Sequence, residues 1–178
     1  MADNRPINPS EMLNTAYDLA LSHAFRKEVT GQPFCHAFEI ANLARHFGYG
    51  AVTMSTGLLY DDIYNRGLAD TLRQKGFPES VVIGVNDRAA PSKSGISNGE
   101  IEEIRRTDAM SNPISHVIEF CNYFVTSGRL AIFPQKKDEK HLDLVIERFM
   151  PGLNELGKNL PGPEEVRRFA EGIDGVVN

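Results

Sequence analysis

Apolar residues in this chain recur at three- and four-residue intervals, in segments cut by glycine and proline, and that rhythm predicts helices packed on one another. The pattern is clearest between Gly31 and Gly67. Gly31 and Pro33 open a helix in which His36, Ile40, Leu43 and Phe47 share a face, and Gly48 follows as its stop. Val52, Thr56, Leu59 and Ile63 mark the next helix, which ends by Gly67. The first of the two carries a histidine near its start, and the second carries the Asp61-Asp62 pair near its end. A histidine and a carboxylate on adjacent helices is how a bundle builds a metal or phosphate site in its core.

The same rhythm runs through the rest of the chain. Asn8 or Ser10 caps a helix that reaches about Lys27, with Leu13, Tyr17, Ala20, Leu21 and Ala24 at helical spacing. A short helix is expected over Leu68 to Lys75, stopped by Gly76, and Pro78-Glu79 starts another through Val81, Val82 and Val85. Pro91 to Gly99 reads as a loop and Glu100 to Ala109 as a charged surface helix. Asn112-Pro113 opens a strongly apolar helix with Ile114, Ile118, Cys121 and Val125 on one face. Leu142, Val145, Ile146, Phe149, Leu153 and Leu156 predict a late helix bent near Pro151, and Pro163 to Gly172 a last short one. Strand-like alternation is almost absent, so the expected class is all-α. One domain is expected over residues 1–178, its core at about 10–160, followed by a C-terminal helical extension.

Composition narrows the partners. With 178 residues, 41% apolar and 24% charged, the chain is long and apolar enough to bury a core, and disorder is not expected. A net charge of −5 gives no basic field for nucleic acid or an anionic membrane. No apolar run approaches the ~18 residues needed to span a bilayer, and Met1 to Pro9 is polar rather than signal-like. Cys35 and Cys121 make no disulfide framework, so a reducing cytoplasm is the expected setting. The sequence is compatible with a monomer or a homodimer.

Several stretches together carry a family resemblance. These are Arg26-Lys27, Gly31 to His36, Leu58-Leu59-Tyr60-Asp61-Asp62, Gly76 to Val82, Ser111-Asn112-Pro113-Ile114 and Ile118 to Asn122. In that order, over roughly residues 10–160, the chain resembles the HD-domain phosphohydrolases, closest to the RelA/SpoT-type alarmone and pyrophosphate hydrolases. The resemblance implies an HD-domain helical bundle. It also implies a divalent ion, usually manganese, held by a first histidine, a His-Asp doublet and a later aspartate, which polarises a phosphoryl oxygen and activates water.

Carried over position by position, His36 matches the first histidine and Asp61 the aspartate of the doublet. Tyr60 stands in place of the doublet's histidine, and Asn122 falls where the last aspartate is expected. Tyr64 and Asn65 replace the acidic pair that helps activate water. A phenol with a pKa of ~10 is a poor ligand near neutral pH, and a carboxamide brings no charge. The expectation is therefore no cofactor, with His36 and Asp61 as the metal ligands if manganese is still held. In the family, basic residues of the first helix meet nucleotide phosphates. His23, Arg26 and Lys27 occupy that region here, with Arg88 and Lys93 near the loop at 91–99.

Plainer readings stand beside these. His36 is equally a core histidine bonded to Asp61 or Asn122, and Tyr60 equally a filler of the space an ion would take. The basic residues are equally a solvated edge, and Asp62 reads as a surface or capping charge. Cys35 and Cys121 read as small buried apolar residues rather than a thiolate site, and His116 and His141 as partly exposed polar residues. Three functions follow. The leading one is a degenerate HD-type binding module for a nucleotide or other phosphorylated small molecule, with Tyr60, Tyr64, Asn65 and Asn122 joining the basic residues around the ligand. The others are an active phosphohydrolase on a site rearranged around His36 and Asp61, and a protein-interaction module with a filled cleft.

Overall fold

Asn8 starts the first helix, Pro9–Lys27 (α1). Its side-chain oxygen accepts from the backbone N–H of Ser10 (3.1 Å) and Glu11 (3.0 Å), and its amide donates to Glu11 Oε2 (2.9 Å). Pro9 follows at the first helical position, where a missing N–H is no loss. Of the two expected caps, Asn8 is the one used. At the other end of the fold Asn112 caps Pro113–Ile132 in the same way, accepting from Ile114 N (2.9 Å) and Ser115 N (3.3 Å). Such a cap contributes about 1 kcal/mol. Gly48 (φ +86°) and Gly76 (φ +75°) close two helices in the left-handed region, with Tyr49 N bonded back to Ala44 O and Phe77 N to Leu72 O.

The computed structural model describes residues 7–27, 35–60, 67–86, 110, 112–132, 147 and 149–176. Among them are α1, Cys35–His46 (α2), Ala51–Leu58 (α3), Leu68–Gln74 (α4), Glu79–Asn86 (α5), Pro113–Ile132 (α6), Met150–Lys158 (α7) and Pro163–Val176 (α8). The described residues are all-α and contain no strand. No described helix is long and apolar enough to cross a membrane.

The short helix α3 organises the packing, since α1, α2, α5 and α6 all lie against it. On one side Met12 and Ala16 of α1 meet Leu58, Leu59, Leu72 and Val81. On the other, Ile40 and Ala44 of α2 meet Ile114, Ile118 and Cys121 of α6, with Val166 and Ala170 of α8 in the same cluster. Each such fully buried aliphatic side chain contributes about 1.5–3 kcal/mol through area removed from water. Two glycines set how closely the helices approach. A Cβ on Gly57 would stand 3.2 Å from the Cα and N of Ala41, and one on Gly84 3.1 Å from Ile114 Cγ2.

Four sequence expectations need correction. Among the described side chains of α1 the buried ones are Met12, Ala16 and Ala20, while Tyr17 is exposed, so of the expected stripe Ala20 is buried and Tyr17 is not. Phe47 is exposed rather than sharing the buried face of Ile40. The helix expected to run toward Gly67 closes at Leu58, because Leu59 turns to φ −88°, ψ 4° and leaves the helical path. The last helix runs four residues past Gly172, to Val176. Pro151 stands in the first turn of α7, a position that tolerates proline. The loop and surface helix expected over 91–109, and Leu142, Val145 and Ile146, lie outside the described residues.

Tyr49, in the α2–α3 connection, ties down the segment before α8: its hydroxyl donates to Pro161 O at 2.6 Å. Burial pushes its phenol up to about 12, and the neighbouring Cys121 thiol and Glu165 carboxylate add to the effect. The neutral phenol is therefore favoured in the folded state. Between pH 10.0 and about 12 the unfolded chain releases this proton first, so stability present below pH 10.0 is lost as pH rises. Tyr49→Phe is expected to destabilise the protein by about 1–3 kcal/mol near neutrality, because the buried Pro161 carbonyl loses its donor. Urea titrations across that pH range should also show a shallower alkaline decline in the variant.

Candidate functional site

His36 lies in the first turn of α2 and Tyr60 two residues beyond the end of α3, and both are half-buried. Because α2 and α3 pack side by side, their rings meet edge to face, with centroids 5.4 Å apart and planes at 78°. This geometry sets the positive edge of one ring against the electron-rich face of the other, a contact worth about 0.5–1.5 kcal/mol. Tyr60 also packs on the cluster formed by Ile118 and Cys121 of α6. The ring partner of the imidazole is thus a phenol, while Asp61, the other residue expected beside it, lies outside the described residues.

Asn122, on the adjacent helix α6, is half-buried. Its Nδ2 donates to Glu119 Oε1 (3.4 Å) and its Oδ1 accepts from Thr126 Oγ1 (3.4 Å). These are contacts along its own helix. Ser115, Glu119, Asn122 and Thr126 fall at helical spacing and make a polar stripe on an otherwise apolar element. Glu119 is 4% exposed, so a buried carboxylate lies one turn before the position counted as the lost aspartate. The sequence reading passed over it. Its place between Ile118 and Cys121, beside the apolar face of α6, does not by itself tell a buried carboxylate from a solvated one.

His116 is not partly exposed as expected. It is buried, and its Nε2 lies 2.8 Å from Leu156 O, joining α6 to α7. Cys121 is fully buried within the apolar cluster, as expected. His23, Arg26 and Lys27 occupy the last two turns of α1, with side chains outside the described set. Asp61, Asp62, Tyr64, Asn65, Arg88, Lys93 and His141 also lie outside it, as does the side chain of Cys35.

No group of three or more His, Cys, Asp or Glu side chains among the described residues is placed to hold a divalent ion. At the His36 position the neighbouring ring offers a phenol, and Asn122 offers a carboxamide already engaged with Glu119 and Thr126. These described donors bring one imidazole, whereas a hard ion wants several charged oxygens or imidazoles, and Asp61, the other expected ligand, lies outside the described residues. The described set suits hydrogen bonding to a polar ligand, because the imidazole nitrogens and the phenol can each donate or accept. No family model matches the sequence, and no curated protein or solved structure matches it.

Proposed function

We propose that this chain is a degenerate HD-type helical module that binds a nucleotide or other phosphorylated small molecule without the family's metal-dependent hydrolysis. The observation that carries the reading is the edge-to-face pair of His36 and Tyr60. Where the resemblance calls for two imidazoles on one ion, an imidazole and a phenol are packed against each other. His23, Arg26 and Lys27, on the C-terminal turns of α1, are the residues proposed to meet the phosphates, with Tyr60, Tyr64, Asn65 and Asn122 completing the ligand's surroundings. The acidic net charge argues against nucleic acid as partner, and two cysteines that make no spaced disulfide framework support a cytoplasmic setting.

A second reading keeps hydrolysis. Glu119 is a buried carboxylate one turn from Asn122, and with His36 and Asp61 it would raise the number of charged donors on a manganese ion. Elemental analysis of protein purified without chelator separates the two. Binding without metal predicts well under one equivalent of manganese, zinc or iron, and near-stoichiometric metal favours the hydrolase. Thermal unfolding with a panel of nucleoside di- and triphosphates tests the binding itself. A ligand at ~100 times its dissociation constant adds ~2.7 kcal/mol. For a chain of this size that raises Tm by about 5–10 °C. A flat response across the panel would overturn the binding reading and leave a protein-interaction module.

A further inference from the structure

The last turn of α8 is composed against its own helix. Gly175 sits in it and Gly172 just before it, although a Cβ at either position would meet nothing within 4 Å, so packing does not require them. Asp174 places a negative charge at the helix end where the peptide dipoles are already negative, and no basic residue stands in that turn. Burial also fades along the element, from Val166 and Ala170 in the core to half-buried Ile173 and then Val176 at 86% exposure. The turn is joined to α5 by a contact across 94 positions of chain. The Asp174 carboxylate accepts from Ser80 N and from Ser80 Oγ, both at 2.9 Å, and so caps the N-terminal end of α5, where a negative charge is favoured.

We propose that the C-terminal turn of α8 is a clasp on α5, with Asp174 as its latch. The clasp opens as a unit of its own, well before the molecule unfolds, and opening uncaps the start of α5. The state of the C-terminal turn is thereby coupled to an element that packs on α3, α4 and α6. The latch suits Asp174 poorly within its own helix and well at the start of its neighbour, and the glycines keep the open state accessible.

Native-state hydrogen exchange on the full chain tests this. In the unmodified protein the Ser80 amide should exchange with the amides of residues 173–176, and faster than that of Ile118 in α6. Asp174→Ala should speed the Ser80 amide on the order of tenfold or more while leaving Ile118 unchanged, since hydrogen bonds to a charged acceptor are lost. Gly175→Ala, which strengthens the helix without touching the latch, should slow the Ser80 amide about fivefold. The clasp is refuted if Ser80 stays equally protected in Asp174→Ala, if Ile118 accelerates in step with it, or if Gly175→Ala leaves Ser80 unaltered.

Discussion

Gly57→Val is expected to lower the unfolding free energy by about 3 kcal/mol, the upper part of the range for inserting bulk into a close-packed site. Glycine inside a helix is unfavourable by roughly 1 kcal/mol relative to alanine, so its presence in α3 calls for a reason. The reason is contact with α2. A single added carbon would stand 3.2 Å from the backbone N and Cα of Ala41 and 3.3 Å from Ile40 Cγ2. Ile40 could turn its methyl aside, whereas the Ala41 backbone belongs to a helix and cannot. Valine worsens the contact because its branched Cβ has one favoured rotamer in a helix and cannot swing both methyls away.

The displacement would not stay local. Leu58 and Leu59, the next two residues, belong to one core cluster, and Tyr60 packs on the other. Urea and thermal denaturation provide the measurement, with a Tm fall of about 6–12 °C for a chain of this length. Gly128 supplies the contrast. It lies within α6 with open space around its absent Cβ, so Gly128→Ala should be neutral or slightly stabilising. Equal midpoints for Gly57→Val and the parent would mean that α2 and α3 are not this closely packed.

Parts of this architecture are written locally and were readable as such. Asn112-Pro113 and Asn8-Pro9 each pair an acceptor side chain with a residue that needs no N–H, and Gly48 and Gly76 supply the left-handed stops. These signals act within five residues, so chain order alone suffices. The end of α3 had no such signal. Nothing in Leu58-Leu59-Tyr60 breaks a helix by type, and the closure at Leu58 is expressed in the backbone angles of Leu59. The face of α1 was misjudged because Tyr17 is as apolar by pattern as Ala16, and only packing against α3 decides which turns inward.

The site divides along the same line. That α2 and α3 lie side by side was legible from their short connection, and this is what lets His36 and Tyr60, at matching ends, touch. The burial of Glu119 and His116 was not legible, since a carboxylate or imidazole on a helix reads as solvated until its neighbours are known. Glu119 is buried on a helix that packs against α2 and α3, and His116 is buried with Leu156 O as its polar partner. The Ser80–Asp174 pair, 94 positions apart, has no sequence signal at all.

Tyr60→His is the substitution with the largest expected effect on the site's chemistry: it should confer binding of a divalent ion. Two imidazoles on one ion, with metal–nitrogen bonds near 2 Å, have ring centroids about 5 Å apart. The His36 and Tyr60 centroids already stand 5.4 Å apart in edge-to-face contact, and the expectation is that side-chain rotation at 36 and 60, rather than a helix shift, brings both imidazole nitrogens onto one ion. What the native pair lacks is the second nitrogen lone pair, since a phenol must first lose a proton held to a pKa of ~10. An added first-sphere ligand should tighten cobalt or manganese binding by at least ~10-fold, the lower end of what even outer-sphere changes cause in metal sites. Calorimetric titration and the visible bands of bound cobalt give the readout, with His36→Ala in the same background expected to abolish the gain. Unchanged affinity in Tyr60→His would mean that the two rings do not face a common space, and the reading of this pair as the remnant of an ion site would fall with it.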